Sequence, residues 1–162
     1  MKELGAQEAH DILQKDPETI YLDVRSIPEF EQGHPPNAIN IPLLHYQPGM
    51  GMSPNQDFAK VIEANLPKDK KIIVGCQSGG RSAQACTIMS RMGYQDVTNL
   101  RSGFSGAKDM MGRTVEPGWS SLQLPICKDC NKDTQYESLS AKAGWFSKPR
   151  SMVGTIKVVV TR

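Results

Sequence analysis

Between Lys71 and Gly93 a short apolar run, Ile72, Ile73 and Val74, passes through Gly75, Cys76, Gln77, Ser78, Gly79 and Gly80 into a stretch of helical periodicity. The run has the composition of a buried strand. From Arg81 on, Ala83, Cys86, Met89 and Met92 recur at helical spacing while Gln84, Thr87 and Arg91 fall on the wet side, and Gly93 stands where a left-handed residue ends a helix. A strand, a tight loop and a helix put Cys76 at the carboxyl end of the strand and at the positive end of the helix dipole, where backbone N–H groups turn inward. Such a place suits an anion. A sulfur there is stabilised as the nucleophilic thiolate by those donors and by the Arg81 guanidinium, and Gly79 and Gly80 let the backbone approach it with no Cβ in the way. Taken alone, a cysteine in a globular domain is a small buried hydrophobe. The strand end, the glycine pair, the arginine five residues on and the immediate helix together point to catalysis instead.

The rest of the chain repeats this alternation. Ala6, Ala9, Ile12 and Leu13 keep helical spacing until Asp16 and Pro17 break it. Ile20 to Val24 reads as a strand with Asp23 near its carboxyl end, the end at which ligands bind in parallel sheets. Asp23 and Arg25, two residues apart, are expected to support the site by bracing neighbouring loops. Pro28 to Gln32 makes one helical turn, Gly33 ends it, and His34-Pro35-Pro36-Asn37 is a stiff link into a short strand, Ala38 to Ile41. His34, with no paired carboxylate or second His near it in sequence, is expected to hydrogen-bond a loop rather than move a proton. Gln47 to Pro54 reads as a loop, Phe58, Val61, Ile62 and Leu66 as a helix facing a core, and Asp96 to Leu100 as a further strand. Arg101 to Gly106 is expected to be a second strand-to-helix turn lining the same pocket. Strands alternating with helices imply an α/β fold, a central parallel sheet flanked by helices on both faces. Tyr136 to Ala143 has the composition of a helix and Thr155 to Thr161 that of a strand.

A chain of 162 residues has room for one domain with a real core and a short appendage. Its net charge of +2, from 19 basic and 17 acidic residues, provides no basic field, so nucleic acid is not expected as a partner. No apolar stretch approaches bilayer-spanning length, and Met1-Lys2-Glu3 opens a polar helical pattern rather than a signal-peptide core; no membrane association is expected, and the cytoplasm is the expected location. Four cysteines are too few for a disulfide framework in a chain this long. Cys86 shares the apolar helix face with Ala83 and Met89 and is expected to be inert core. Cys127-Lys128-Asp129-Cys130 is a single Cys-x-x-Cys with no second pair and no His near it in sequence. Two loop thiols are the first reading of it, a pair that accepts sulfur or closes as a disulfide the second, and zinc ligands the third.

Three stretches together resemble the single-domain rhodaneses, the thiosulfate sulfurtransferase family. They are Leu22-Asp23-Val24-Arg25 with Glu29, Phe30, Gly33 and His34; Gly75 to Ser82; and Gly93-Tyr94 with Val97, Asn99, Leu100 and Gly103. The likeness runs from Leu4 to about Ile126, and small bacterial and plastid forms look similar around Gly75 to Thr87 and at Pro117-Gly118-Trp119. It implies a rhodanese-like domain over residues 1–126, with 127–162 a C-terminal extension beyond the resemblance. It also implies that Cys76 is the sulfur-carrying nucleophile, and that Gln77, Ser78, Gly79, Gly80, Arg81 and Ser82 bind the substrate and hold the persulfide. Arg81 then helps to receive a small anionic donor, thiosulfate. Cyanide, a thiol or a protein cysteine is the implied acceptor, and no metal or organic cofactor is needed. If the chain is a plant one lacking its transit peptide, the plastid stroma replaces the cytoplasm. Two departures concern turns: Ser102 stands where the family often has Gly, and Pro35-Pro36-Asn37 where Ile-Pro-Gly is usual. Two other readings compete. Phosphatases and arsenate reductases of this fold place five residues between Cys and Arg, against four here, Gln77 to Gly80, and non-catalytic rhodanese-like binding modules usually lack the cysteine.

Overall fold

The computed structural model describes residues 1–147. In chain order they form β1 (Lys2–Leu4), α1 (Ala6–Lys15), β2 (Ile20–Asp23), α2 (Ile27–Glu31), β3 (Ile39–Asn40), β4 (Leu44–Gln47), β5 (Gly51–Pro54), α3 (Phe58–Asn65), β6 (Lys71–Gly75), α4 (Gly80–Arg91), β7 (Asp96–Leu100), β8 (Ala107–Lys108), β9 (Thr114–Glu116), a 3₁₀ turn at Lys132–Thr134, and α5 (Tyr136–Ser147). The central sheet has the strand order β1-β7-β6-β2-β3, and every neighbouring pair in it is parallel. Asp23 lies beside Gly75 in the register of β2 and β6, so the acid and the start of the Cys76 loop share one sheet end.

Side chains alternate across a strand, so one run of apolar residues serves two cores. Leu22, Ile72 and Val74 face one, closed by Phe58, Val61 and Ile62 of α3, by Ala85, Cys86 and Met89 of α4, and by Leu139 and Ala143 of α5. Tyr21 and Ile73 face the other, closed by Ala6 and Ala9 of α1, by Phe30 of α2 and by Trp119. Helices on both faces of a parallel sheet are thus what the strand–helix alternation leads to. Each fully buried Leu, Ile or Val of this kind contributes about 1.5–3 kcal/mol relative to exposure. No helix among the described residues is long and apolar enough to cross a membrane.

Three elements differ from expectation. The Gln47 to Pro54 stretch is not a loop: with the residues before it, it forms the antiparallel hairpin of β4 and β5, whose half-exposed and exposed residues carry no alternation to betray it. Arg101 to Gly106 does not open a helix; the chain turns there and passes into the short hairpin of β8 and β9. Lys2–Leu4, too short for any period, adds an edge strand to β7, where Lys2 also pairs with Asp96. The expected helix at Tyr136 is present as α5, tied to α3 by Asn65 Nδ2 donating to the Leu139 carbonyl at 3.0 Å. Thr155 to Thr161 lies outside the described residues.

Two loops at the carboxyl ends of β6 and β7 press against each other. Gly79 adopts φ +104°, and a Cβ there would sit 2.3 Å from the Arg101 carbonyl oxygen. Gly103, at φ +65°, would place one 2.5 Å from the Gln77 carbonyl oxygen. Gly80 differs, because a Cβ on it meets nothing within 4 Å. Only Gly79 of the pair is therefore demanded by close approach, and what it approaches is the second loop. Gly79→Ala combines backbone strain with a clash against main chain, so it is expected to lower stability by about 2–3 kcal/mol, read from denaturant unfolding. Gly80→Ala should stay within about 0.5 kcal/mol of the parent. Equal losses in the two variants would contradict this account of the loop.

Candidate active site

Cys76 follows β6 directly and is buried. Its Sγ accepts a hydrogen bond from the Gly79 N–H at 3.1 Å. Gly79 is the N-cap of the twelve-residue helix α4, so the sulfur lies at the end of a helix whose partial charge is positive. The cap residue is left-handed, at φ +104°, a conformation that glycine adopts without a Cβ penalty as the chain turns into α4.

Ser82 Oγ lies 3.3 Å from the same sulfur, 3.2 Å from the Gly79 carbonyl oxygen and 2.5 Å from Asn99 Oδ1. A hydroxyl has one hydrogen to donate. The Asn99 amide is oriented by donating Nδ2 to Glu3 at 3.2 Å and to the Gly79 carbonyl at 3.4 Å, which turns its oxygen to Ser82. With the hydrogen on Asn99, Ser82 Oγ is an acceptor toward an S–H; rotating the hydroxyl makes it a donor to a thiolate. Asn99, on β7, therefore belongs to the sulfur's surroundings; the family resemblance includes this residue, but its spacing assigns it no role.

Two arginine–carboxylate pairs frame the loop. Arg25 and Asp23 are both buried; Nη2 donates to Asp23 Oδ2 at 2.8 Å and Nε to Oδ1 at 3.0 Å. The same guanidinium donates to the Gly33 carbonyl at 2.7 Å and to Gln77 Oε1 at 3.3 Å, and it stacks 4.3 Å above the Phe104 ring. Burial works against the Arg25 charge, but the adjoining Asp23 carboxylate outweighs it and holds Arg25 protonated above its ordinary range. Asp23 and Arg25 thus brace three loops, as their spacing suggests. The second pair joins Arg81 to Glu29 by two parallel bonds, Nη1 to Oε2 at 2.8 Å and Nη2 to Oε1 at 2.9 Å. Glu29 is set in place by the start of α2, where it accepts from Ser26 N at 2.9 Å and Ser26 Oγ at 2.7 Å. Burial tends to raise the Glu29 carboxyl, yet the hydrogen bonds from Arg81 and Ser26 prevail and hold it at about 2.

The structure gathers the sequence-predicted residues at one sheet end in different roles. Cys76, Gly79 and Ser82 meet at the sulfur, Gln77 touches Arg25, Ser78 and Gly80 are exposed on the loop, and Arg81 turns to Glu29. Beside them a cleft of about 310 Å³ is lined by Arg25, Glu29, Gln32, Gly33, Gln77 and Phe104. Both guanidinium groups at this end face a carboxylate of their own, so stabilisation of an incoming anion falls mainly to backbone N–H groups and the helix end. Phe104 lines the cleft from the Arg101 to Gly106 turn expected there, whereas Glu29 and Asn99, present in the resemblance, take part in roles that no local spacing assigns. Cys86 is core: burial, followed by the charge of Cys76, pushes its thiol up to about 12, far from a nucleophile's range.

Comparison with known proteins agrees with this geometry. The family model described as Rhodanese-like domain matches residues 5–110. The chain is similar to Thiosulfate sulfurtransferase 16, chloroplastic, of Arabidopsis thaliana, with 42% identity over 117 residues, 72% of this chain and 85% of that relative. It is 39% identical over 106 residues to Rhodanese-like domain-containing protein 15, chloroplastic, of the same plant, covering 65% of this chain and only about half, 51%, of that longer relative. Among solved structures, the crystal structure of Rv0390 from M. tuberculosis superposes with a TM-score of 0.66 at 23% identity, over 79% of this chain and 98% of that one, a likeness of fold. The match over most of the sheet and both loops places the chain in the rhodanese-like family.

Proposed function

We propose that the protein is a sulfurtransferase that takes the outer sulfur of thiosulfate onto Cys76 and passes it to a thiophilic acceptor. The observation that carries the proposal is the Cys76 sulfur itself, buried at the end of α4 with the Gly79 N–H on it and a hydroxyl in reach. A relative named thiosulfate sulfurtransferase at 42% identity supports the choice of donor.

The Cys76 thiolate attacks the outer sulfur of thiosulfate; the new sulfur–sulfur bond forms as the old one breaks, and sulfite leaves with the electron pair. A persulfide anion remains on Cys76. Its terminal sulfur carries a single negative charge, which the loop N–H groups at the start of α4 and the positive helix end stabilise. An acceptor then attacks that terminal sulfur and restores the thiolate. Cyanide does so in an assay, giving thiocyanate, and a thiol or protein cysteine does so in the cell. Two half-reactions through a covalent intermediate give ping-pong kinetics.

Thiosulfate is expected to raise the mass of the intact protein by one sulfur atom, and cyanide to remove it. Cys76→Ser should load none and lose turnover by at least about 10³-fold, since no other side chain at the site is a comparable nucleophile. Undiminished turnover in that variant would sink the proposal, and Cys76-dependent hydrolysis of an aryl phosphate would favour the phosphatase reading.

Arg81 acts by holding the loop to α2 as well as by its charge. Arg81→Ala is expected to lower kcat/KM for thiosulfate by about 10²-fold and Arg81→Lys by roughly tenfold, because an ammonium keeps the charge but not the two-point contact. Steady-state kinetics on the two variants check this; full activity in the alanine variant would remove Arg81 from the site.

The Glu29 pair also has a pH signature. Its carboxyl is held at about 2 in the folded chain against 4.5 unperturbed, so the stability it provides is present above pH 4.5 and is lost as pH falls through about 2. Glu29→Gln should therefore be less stable than the parent at pH 7, with the gap closing as pH falls between those values. Chemical denaturation at a series of pH values measures it, and a gap independent of pH would refute the assigned cause.

A further inference from the structure

The Cys-x-x-Cys segment has no His near it in sequence, which by itself makes zinc a weak reading. The fold supplies the His. The backbones of His34 and Cys127 form an antiparallel bridge, each N–H donating to the other's carbonyl at 2.8 Å. Across it, the ligand atoms of His34, Cys127 and Cys130 all lie within 4.8 Å of one another. We propose that His34, Cys127 and Cys130 form a binding site for a thiophilic divalent cation of the Zn²⁺ class.

The His34 ring is prepared for this role. It is buried, stacks on Phe30 with ring centroids 3.6 Å apart, and places Nδ1 2.9 Å from the Phe30 carbonyl oxygen. A carbonyl only accepts, so the neutral ring carries its hydrogen on Nδ1 and its lone pair on Nε2. Metal-binding histidines are oriented in this way, with the second ring nitrogen donating to a carbonyl or carboxylate. Cys127 is half-buried and Cys130 exposed, so the set opens toward solvent and leaves a fourth tetrahedral position to water or an incoming thiolate.

Chemistry and geometry select the ion. Bonds of about 2.3 Å to sulfur and 2.0–2.1 Å to nitrogen at a tetrahedral angle set ligand atoms roughly 3.5–3.8 Å apart, a spacing that these three neighbouring groups reach once the two sulfurs, in contact here, rotate apart. Two thiolates and a neutral imidazole match the charge of a divalent cation, and this mix of sulfur and nitrogen suits zinc over calcium or magnesium. Cys127 and Cys130 are paired sulfur to sulfur, with Cα atoms 6.1 Å apart. As two thiolates, the reduced cysteines are the form that binds metal.

The site also adjoins the donor cleft. Gly33, next to His34, lines that cleft and accepts from Arg25, and a Cβ on it would lie 3.0 Å from the Ile126 side chain. A bound cation would fasten the 126–130 segment to the cleft rim, while Cys76 is not among the ligands.

The test is a titration of the full chain, reduced anaerobically with a phosphine, with Co²⁺ alone. Thiolate-to-cobalt charge-transfer absorption should saturate near one Co²⁺ per chain and disappear on adding Zn²⁺. Cys76→Ser should bind unchanged, and the Cys127→Ser, Cys130→Ser double variant should lose the band. His34→Ala should weaken binding at least about tenfold. X-ray absorption of the Zn²⁺-loaded parent reads the same ligand set without a variant and should show sulfur and nitrogen scatterers. A reduced parent that takes up no Co²⁺ and returns to the disulfide overturns the proposal. So does a band that survives the double cysteine variant, or one that requires Cys76.

Discussion

The contact between the loop after β6 and the loop after β7 governs how the sulfur is presented. The Phe104 N–H donates to the Cys76 carbonyl at 2.8 Å, and the Ser105 N–H and Oγ donate to the Gln77 carbonyl at 2.9 and 3.0 Å. In a trans peptide the C=O and the following N–H point opposite ways. Holding those two carbonyls against the second loop therefore turns the N–H groups of Gln77 and Ser78 away from it. The second loop is held in its turn: Trp119 N–H donates to the Gly103 carbonyl at 3.0 Å and Ser120 N–H to the Phe104 carbonyl at 2.9 Å. Gly118 permits this layer to approach, since a Cβ there would lie 2.3 Å from Gly106 N. Pro117-Gly118-Trp119 thus acts on Cys76 through two layers of backbone hydrogen bonds.

Much of this architecture was legible in the residues. Strand β6 and helix α4 announce themselves because a buried run and a 3.6-residue period are properties of contiguous sequence, and the left-handed end at Gly93, φ +97°, follows from its residue type. Asn37 also reads correctly as a turn: it takes φ +67°, a conformation Asn tolerates better than most side chains and one that glycine usually fills. The failures share one physical origin. β1 is recognisable only from its partner β7, the hairpin of β4 and β5 buries too little to impose a period, and the course of the chain after Gly106 is decided by the layer at Gly118. Neither the hydrogen bond of Ser82 to Asn99 nor the pairing of Arg81 with Glu29 leaves a trace in spacing, because each joins elements brought together only by the sheet.

Electrostatics at the sheet end follows from the same long-range pairing. An arginine five residues after the cysteine suggests a free cation at the mouth, yet Arg81 meets Glu29 through both of its terminal nitrogens, and Arg25 meets Asp23. These pairs neutralise each other locally while fixing the loops that they join. Each is a fork on a carboxylate, a geometry that resists rotation better than a single contact. The Arg25 pair is almost wholly buried, so breaking it from one side would leave an uncompensated charge inside the protein, which makes it a strict constraint on the positions of Gly33, Gln77 and Phe104.

This arrangement bears on which group the loop is suited to hold between the two halves of a reaction. A phosphoryl group on sulfur carries two charges spread over three oxygens and is commonly bound by a guanidinium fork. Here that fork is already engaged by Glu29, and releasing it would leave a half-buried carboxylate, held at about 2 by Arg81 together with Ser26, without its charged partner. A persulfide asks for less. It adds one polarisable atom and one charge, which dipoles can satisfy without a free cation, and the donors in place are of that kind: the Gly79 N–H, the Ser82 hydroxyl and the end of α4. The engagement of Arg81 thus supports sulfur rather than phosphate as the cargo of Cys76, on grounds independent of the number of residues in the loop.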